Sequence, residues 1–92
     1  RMASYSADKE KILSRLKRIE GQLRGIQRMV NDDKYCVDIL VQISSVLGAT
    51  QRVGFIILDD HIKGCLRGAI TSGDEDVAVQ ELVDIIQRFV KN

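Results

Sequence analysis

The chain has 92 residues, enough for one small domain whose core barely outweighs the entropy of ordering it, so self-association is a natural way to add buried surface. Apolar residues make up 45% of it, aromatic residues only 4%, and there is no proline, which argues against a loop-rich β fold and for long uninterrupted helices. The net charge of +1 conceals an uneven distribution: residues 1–30 hold eight Lys/Arg against three Asp/Glu, residues 31–60 two against five, and residues 61–92 four against five.

Two cysteines are too few for a disulfide scaffold, and neither a signal peptide nor an apolar run long enough to span a bilayer is visible. The expectation is a single cytoplasmic domain over 1–92, with free thiols and no membrane partner.

The first periodic segment, about 7–31, places Ile12, Leu16, Ile19, Leu23, Ile26 and Val30 at alternating steps of four and three, the seam of a helix that packs lengthwise on another. Ser6 is expected to cap it, and Asn31-Asp32-Asp33 to stop it. The second segment, about 34–71, repeats the pattern at Cys36, Ile39, Ile43, Val46, Thr50, Val53 and Ile57 and continues to His61 and Cys65. Its glycines each weaken a helix by roughly 1 kcal/mol relative to Ala, so packing must compensate. Gly73 is expected to end this helix, and Ser72 with Glu75 to form a capping box opening a third helix over about 74–91. Helices 1 and 2 carry more apolar surface than a short third helix covers, which points to a dimeric bundle.

His61 and Cys65 stand four apart, which on a helix sets an imidazole and a thiol on one face. Cys36 lies 25 positions before His61, and 25 helical steps return to within about 20° of the same face while rising roughly 37 Å. One chain cannot close such a site. Two antiparallel copies of the helix bring Cys36 of one beside His61 and Cys65 of the other, and the two-fold axis makes two sites. Two thiolates and one imidazole favour a soft three-coordinate ion such as Cu(I). Zinc with water or a carboxylate as fourth ligand is compatible with the same set, and so are two cysteines that are merely buried hydrophobes. Tyr35, beside Cys36, and Glu81, on the third helix, are candidates to engage the second ring nitrogen of His61; an ordinary boundary Tyr and a solvated Glu fit the sequence as well.

On helix 1, Lys11, Arg15, Arg18 and Gln22 follow the apolar seam one position behind, and Lys17, Arg24 and Arg28 form a second group. Arg52 is the sole Lys or Arg between Lys34 and Lys63. Such a stripe neutralises phosphates, although a solvated charged face has the same pattern. There is no helix-turn-helix, zinc-finger or ribbon signature, so DNA contact would spread over a bundle surface.

The run Arg15-Leu-Lys-Arg-Ile-Glu-Gly-Gln-Leu-Arg-Gly-Ile, Tyr35-Cys36, His61, Cys65 and Glu81 together resemble the copper-sensitive operon repressor family over nearly the whole chain. The resemblance implies a three-helix protomer in an antiparallel four-helix-bundle dimer that pairs into a dimer-of-dimers tetramer. It implies Cu(I) held trigonally by Cys36, His61 and Cys65, with Tyr35 and Glu81 behind them. It also places Arg15 and Arg52 on a surface for operator double-stranded DNA, released when Cu(I) binds. Similar nickel/cobalt sensors need further histidines, whereas His61 stands alone here. Similar persulfide sensors lack the histidine ligand, and formaldehyde sensors lack a cysteine where this chain has Cys65. Two rivals remain outside DNA regulation by copper: a persulfide- or thiol-responsive repressor of the same fold, and a helical interaction module that binds neither metal nor DNA. An enzyme using Cys65 activated by His61 lacks an oxyanion hole and an orienting third group, and no small-molecule substrate is expected.

Overall fold

The computed structural model describes residues 4–91, apart from the side chains of Cys65 and Leu66. A 3-10 turn at Ser6–Asp8 is followed by α1 (Lys9–Asn31), α2 (Cys36–Ser72) and α3 (Glu75–Lys91), and the described residues contain no strand. The all-α, three-helix expectation is met. Acidic residues sit in the first turns of all three helices, and Arg28, Arg88 and Lys91 in the last turns of α1 and α3, as the helix dipole favours.

Helix ends depart from expectation where hydrogen bonding decides. A 3-10 turn precedes α1, and in it the Asp8 N–H donates to the Tyr5 carbonyl at 2.9 Å. Asp8 rather than Ser6 therefore holds the cap position of α1, without a side-chain cap bond. Ser72 is the last residue of α2, so no capping box forms on it; Asp74 precedes α3, and its carbonyl accepts from the Ala78 N–H at 3.0 Å. Gly73 does end α2, at φ 80°, which lets the N–H groups of Gly73 and Asp74 both donate to the Ala69 carbonyl. At the end of α1, Asp33 takes the same left-handed role at φ 55°, and the Lys34 N–H closes onto the Met29 carbonyl at 3.0 Å.

These two tight turns fold α1 and α3 back antiparallel along α2. The result is a slab of 57 × 27 × 15 Å, little thicker than one helix, with a radius of gyration of 17.5 Å. A compact domain of this length would have about 12 Å. The core is correspondingly thin: Ile12, Ile19 and Val53, flanked by Val46, Ala49 and Ile56, with Ala69 and Ala78 near the α2–α3 turn.

The expected apolar seam splits into two stripes of period seven. On α1, Ile12 and Ile19 are 5% and 7% exposed, while Leu16, Leu23 and Val30 are 40%, 46% and 57% exposed. On α2, Ile39, Val46 and Val53 turn inward, and Cys36, Ile43, Thr50 and Ile57 lie open. One α1–α2 contact uses half of each seam, and the other half is left bare in the single chain.

The expectation that no segment is long and apolar enough to span a bilayer needs correcting. By length and composition alone α2 is, with a best 18-residue window of mean hydropathy 1.3. Its apolar residues nonetheless fall into heptad stripes, interrupted by Arg52, Asp59, Asp60, Lys63 and Arg67. That is the pattern of a helix packed lengthwise on protein rather than one uniformly apolar around its circumference.

Candidate metal centre and nucleic-acid interface

The residues expected to bind metal occupy the two ends of α2. Cys36 opens the helix and is exposed, as is its neighbour Tyr35, whose extended backbone starts α2. His61 lies in the distal half, about 37 Å away along the axis, and Cys65 follows one turn on, its side chain outside the described residues. Among the described residues, no group of three His, Cys, Asp or Glu side chains is arranged to hold a metal ion. The single chain thus does not gather Cys36, His61 and Cys65, as their spacing on one helix requires.

Around His61 the surroundings are specific. Nε2 stands 3.8 Å from Glu81 Oε1, with the two side chains 35% and 57% exposed. That separation allows Coulombic attraction but exceeds a hydrogen bond, and the buried Nε2 has no hydrogen-bond partner among the described residues. Closure by less than about 1 Å would complete the bond. With Nε2 facing Glu81, Nδ1 is the nitrogen left for an ion, the arrangement in which a ligating imidazole is oriented by a carboxylate behind it. A cleft of about 620 Å³ opens beside this pair, bordered by Ser4, Gly64, Gly68, Ser72 and Asp74. The donor set and the uncommitted imidazole fit a metal site that is completed from outside the chain.

Immediately before His61 in the chain, the half-buried Asp60 meets Asp8 from the start of α1. A side-chain hydrogen bond with Asp8, then desolvation, then repulsion from Asp8 and Asp59 hold the Asp60 carboxyl above its ordinary value of 3.8, with Lys63 opposing. Asp59 in turn accepts a 2.8 Å hydrogen bond from Lys63 Nζ and raises that ammonium's pKa. Nothing in the sequence pattern marked the Asp8–Asp60 pair.

The basic residues behave differently. Arg15, Arg18 and Gln22 of α1 and Arg52 of α2 line one cleft of about 140 Å³ floored by Ile19 and Ala49. Ser45 joins them; sequence reasoning missed it, although its seven-residue spacing from Arg52 places both on one face of α2. Lys11, a turn before Arg15, is exposed and does not line the cleft. Three guanidinium groups around a narrow opening suit phosphate oxygens, each able to offer paired N–H donors.

The family described as metal-sensitive transcriptional repressor matches residues 8–88. This chain belongs to that family. Among curated relatives of this repressor, the copper-sensing transcriptional repressor CsoR of Bacillus subtilis (strain 168) is 53% identical over 87 residues, 95% of this chain and 86% of the relative. The crystal structure of the copper-sensing repressor CsoR with Cu(I) from Geobacillus thermodenitrificans NG80-2 superposes with a TM-score of 0.83 at 46% identity, covering 92% of this repressor and 88% of that chain. The nickel-responsive transcriptional regulator InrS superposes at 0.79 with 39% identity, over 87% and 90% of the two chains. The fold is therefore shared by a copper-sensing and a nickel-responsive regulator and does not by itself choose the ion.

Proposed function

We propose that this repressor senses Cu(I), held by Cys36 of one protomer with His61 and Cys65 of another, and that binding lowers its affinity for operator DNA of copper-resistance genes. The observation that carries the reading is the pairing of a buried, uncommitted His61 Nε2 beside Glu81 with a Cys36 thiol at the far end of the same open stripe. Two thiolates and one imidazole suit a soft ion content with three ligands. The copper-sensing relatives support the choice of ion, and the presence of a single histidine disfavours a nickel site built on several.

The working unit is an antiparallel dimer, in which the bare stripes Leu16-Leu23-Val30 and Ile43-Thr50-Ile57 of two chains cover each other; a dimer of dimers extends the basic surface. Bound Cu(I) supplies a soft Lewis-acid centre that keeps both cysteines as thiolates at neutral pH. The chain's own response lies in His61: its Nε2–H donates to Glu81 as the 3.8 Å gap closes, and Tyr35 enters from the protomer that contributes Cys36. Drawing α3 toward α2 shifts the α1–α2 pair that forms the Arg15, Arg18, Gln22 and Arg52 cleft. The protein acts in the cytoplasm as a binding protein, with no catalytic residue assigned.

Linkage requires DNA to weaken metal binding by the same factor by which metal weakens DNA binding. The test uses a duplex that the apo-protein selects from a random pool, challenged with Cu(I), Ni(II), Zn(II) or a persulfide donor. Release by Cu(I) alone is expected; retention under Cu(I) with release by another inducer overturns the reading.

A further inference from the structure

We infer that Gly54 and Phe89 are positioning residues that set the separation of Glu81 from His61, and thereby how strongly metal binding is coupled to DNA release. The inference rests on the Cu(I)-sensing function proposed above.

The geometry is that of a hinged strip fixed at both ends. At one end the Gly73 turn ties α3 to α2, with Ala69 and Ala78 buried beside it. At the other, the Phe89 ring lies in a notch that exists only because residue 54 has no side chain. A Cβ built on Gly54 would stand 2.5 Å from Phe89 Cζ and 2.6 Å from Cε1. The ring has little freedom to turn aside, since it also packs edge-on against Phe55, with centroids 5.2 Å apart at 84°. Ala78 is the buried residue of α3, and Leu82, Ile85, Ile86 and Phe89 are half-buried; of these, Phe89 is the one whose ring fills a glycine notch, so a change at that notch acts on the far end of the helix.

The His61–Glu81 pair lies between the anchors. It is seven residues from Gly54 along α2 and eight from Phe89 along α3, about two turns in each case. Restoring ordinary carbon–carbon contact of about 3.5–4.0 Å at a methyl-bearing position 54 needs roughly 1 Å of displacement at Phe89. Glu81 is about half-way from the turn to Phe89 along the helix rise, so it would lift by roughly 0.5 Å. The 3.8 Å gap would then widen at the point where it must narrow. Neither residue is one of the proposed donors or lines the basic cleft, so the effect should appear in the coupling rather than in binding of either ligand alone.

The experiment measures Cu(I) affinity of the intact protein free and bound to its selected duplex, for wild type, Gly54→Ala, Phe89→Leu, and the double variant in which the smaller side chain relieves the added methyl. The expected result is a coupling factor reduced about fivefold or more in Gly54→Ala, a sizeable part of the usual 5- to 150-fold range. Apo-protein DNA affinity should stay within about threefold of wild type, and the double variant should regain most of the lost coupling. A Gly54→Ala protein with wild-type coupling overturns the inference, as does a double variant no better coupled than the single one. Should Gly54→Ala fail to fold, Phe89→Leu carries the test: removing the ring from the notch changes the height of α3, so a coupling factor altered by about threefold or more at unchanged apo-protein DNA affinity is expected, and unchanged coupling overturns the inference. Wild-type protein showing equal Cu(I) affinity free and on DNA would instead overturn the proposed sensing function.

Discussion

The basic cleft and the metal centre are built from the same two helices in opposite ways. Arg15, Arg18 and Gln22 face Ser45 and Arg52 across one intramolecular α1–α2 contact, so the cleft is complete in a single chain. Cys36 opens α2 and His61 lies about seven turns further along it, on a stripe that this contact leaves bare, so the proposed metal centre is not. The difference teaches that an antiparallel hairpin gathers residues that face each other across the turn but keeps residues of one long helix apart. On the proposed function, a DNA-contacting surface assembled locally and a sensor assembled only between copies would make metal sensing dependent on the oligomer.

The strongest way to break this comparison is to separate the donors genetically. Cys36→Ala and Cys65→Ala proteins should each lose stoichiometric Cu(I)–thiolate absorption, with affinity falling by more than the 10- to 100-fold typical of outer residues, while apo-protein DNA binding persists. Mixed under conditions that exchange subunits, they form dimers in which one of two sites is intact. About a quarter of wild-type Cu(I) stoichiometry should return, because half the dimers are mixed and each carries one site. No recovery in a demonstrably mixed population would mean that the site is not shared between protomers.

Two substitutions sharpen the contrast from either side. Glu81→Gln keeps the size of the side chain but removes its charge, and should lower Cu(I) affinity or coupling by about 10-fold or more, leaving the salt dependence of apo-protein DNA binding as it was. Arg52→Ala should do the reverse: about tenfold weaker DNA binding, a log–log salt slope shallower by about 1, and unchanged Cu(I) titration. Anaerobic metal titration and binding isotherms at several salt concentrations separate the two. If Arg52→Ala left the salt slope intact, the cleft would not be holding phosphate.

Much of this was legible in the sequence because it depends on one periodicity. Helix identity and the grouping of Arg15, Arg18 and Gln22 both follow from positions along single helices. What was not legible depends on which helix lies opposite. The seam from Ile12 to Val30 read as one surface, and only the placement of α2 divides it into a covered Ile12–Ile19 row and a bare Leu16–Leu23–Val30 row. In sequence Gly54 is one of several helix-weakening glycines, and only the placement of α3 sets the Phe89 ring in its notch. Ser6 and Ser72 failed as caps because a 3-10 turn and one further residue of α2 took their places, a choice made by a few backbone hydrogen bonds.

The Asp8–Asp60 contact belongs to this second kind and provides the smallest predicted effect. It brings two like charges together where α1 begins, and raises the Asp60 pKa above 3.8 through hydrogen bonding with Asp8, desolvation and repulsion. The folded protein therefore retains a proton at Asp60 at pH values where the unfolded chain has released it. Stability must then fall as pH rises from about 3.8 through the elevated folded value, and the deficit persists at neutral pH. Asn at position 60 keeps the shape and a hydrogen-bond donor for Asp8 while never ionising. Asp60→Asn apo-protein should thus have a modestly higher thermal midpoint than wild type at pH 7, and the gain should shrink as the pH approaches the ordinary carboxylate range. A lower midpoint at pH 7 would mean that the charged carboxylate is stabilising where α1 meets α2, against the direction its like-charged neighbours impose.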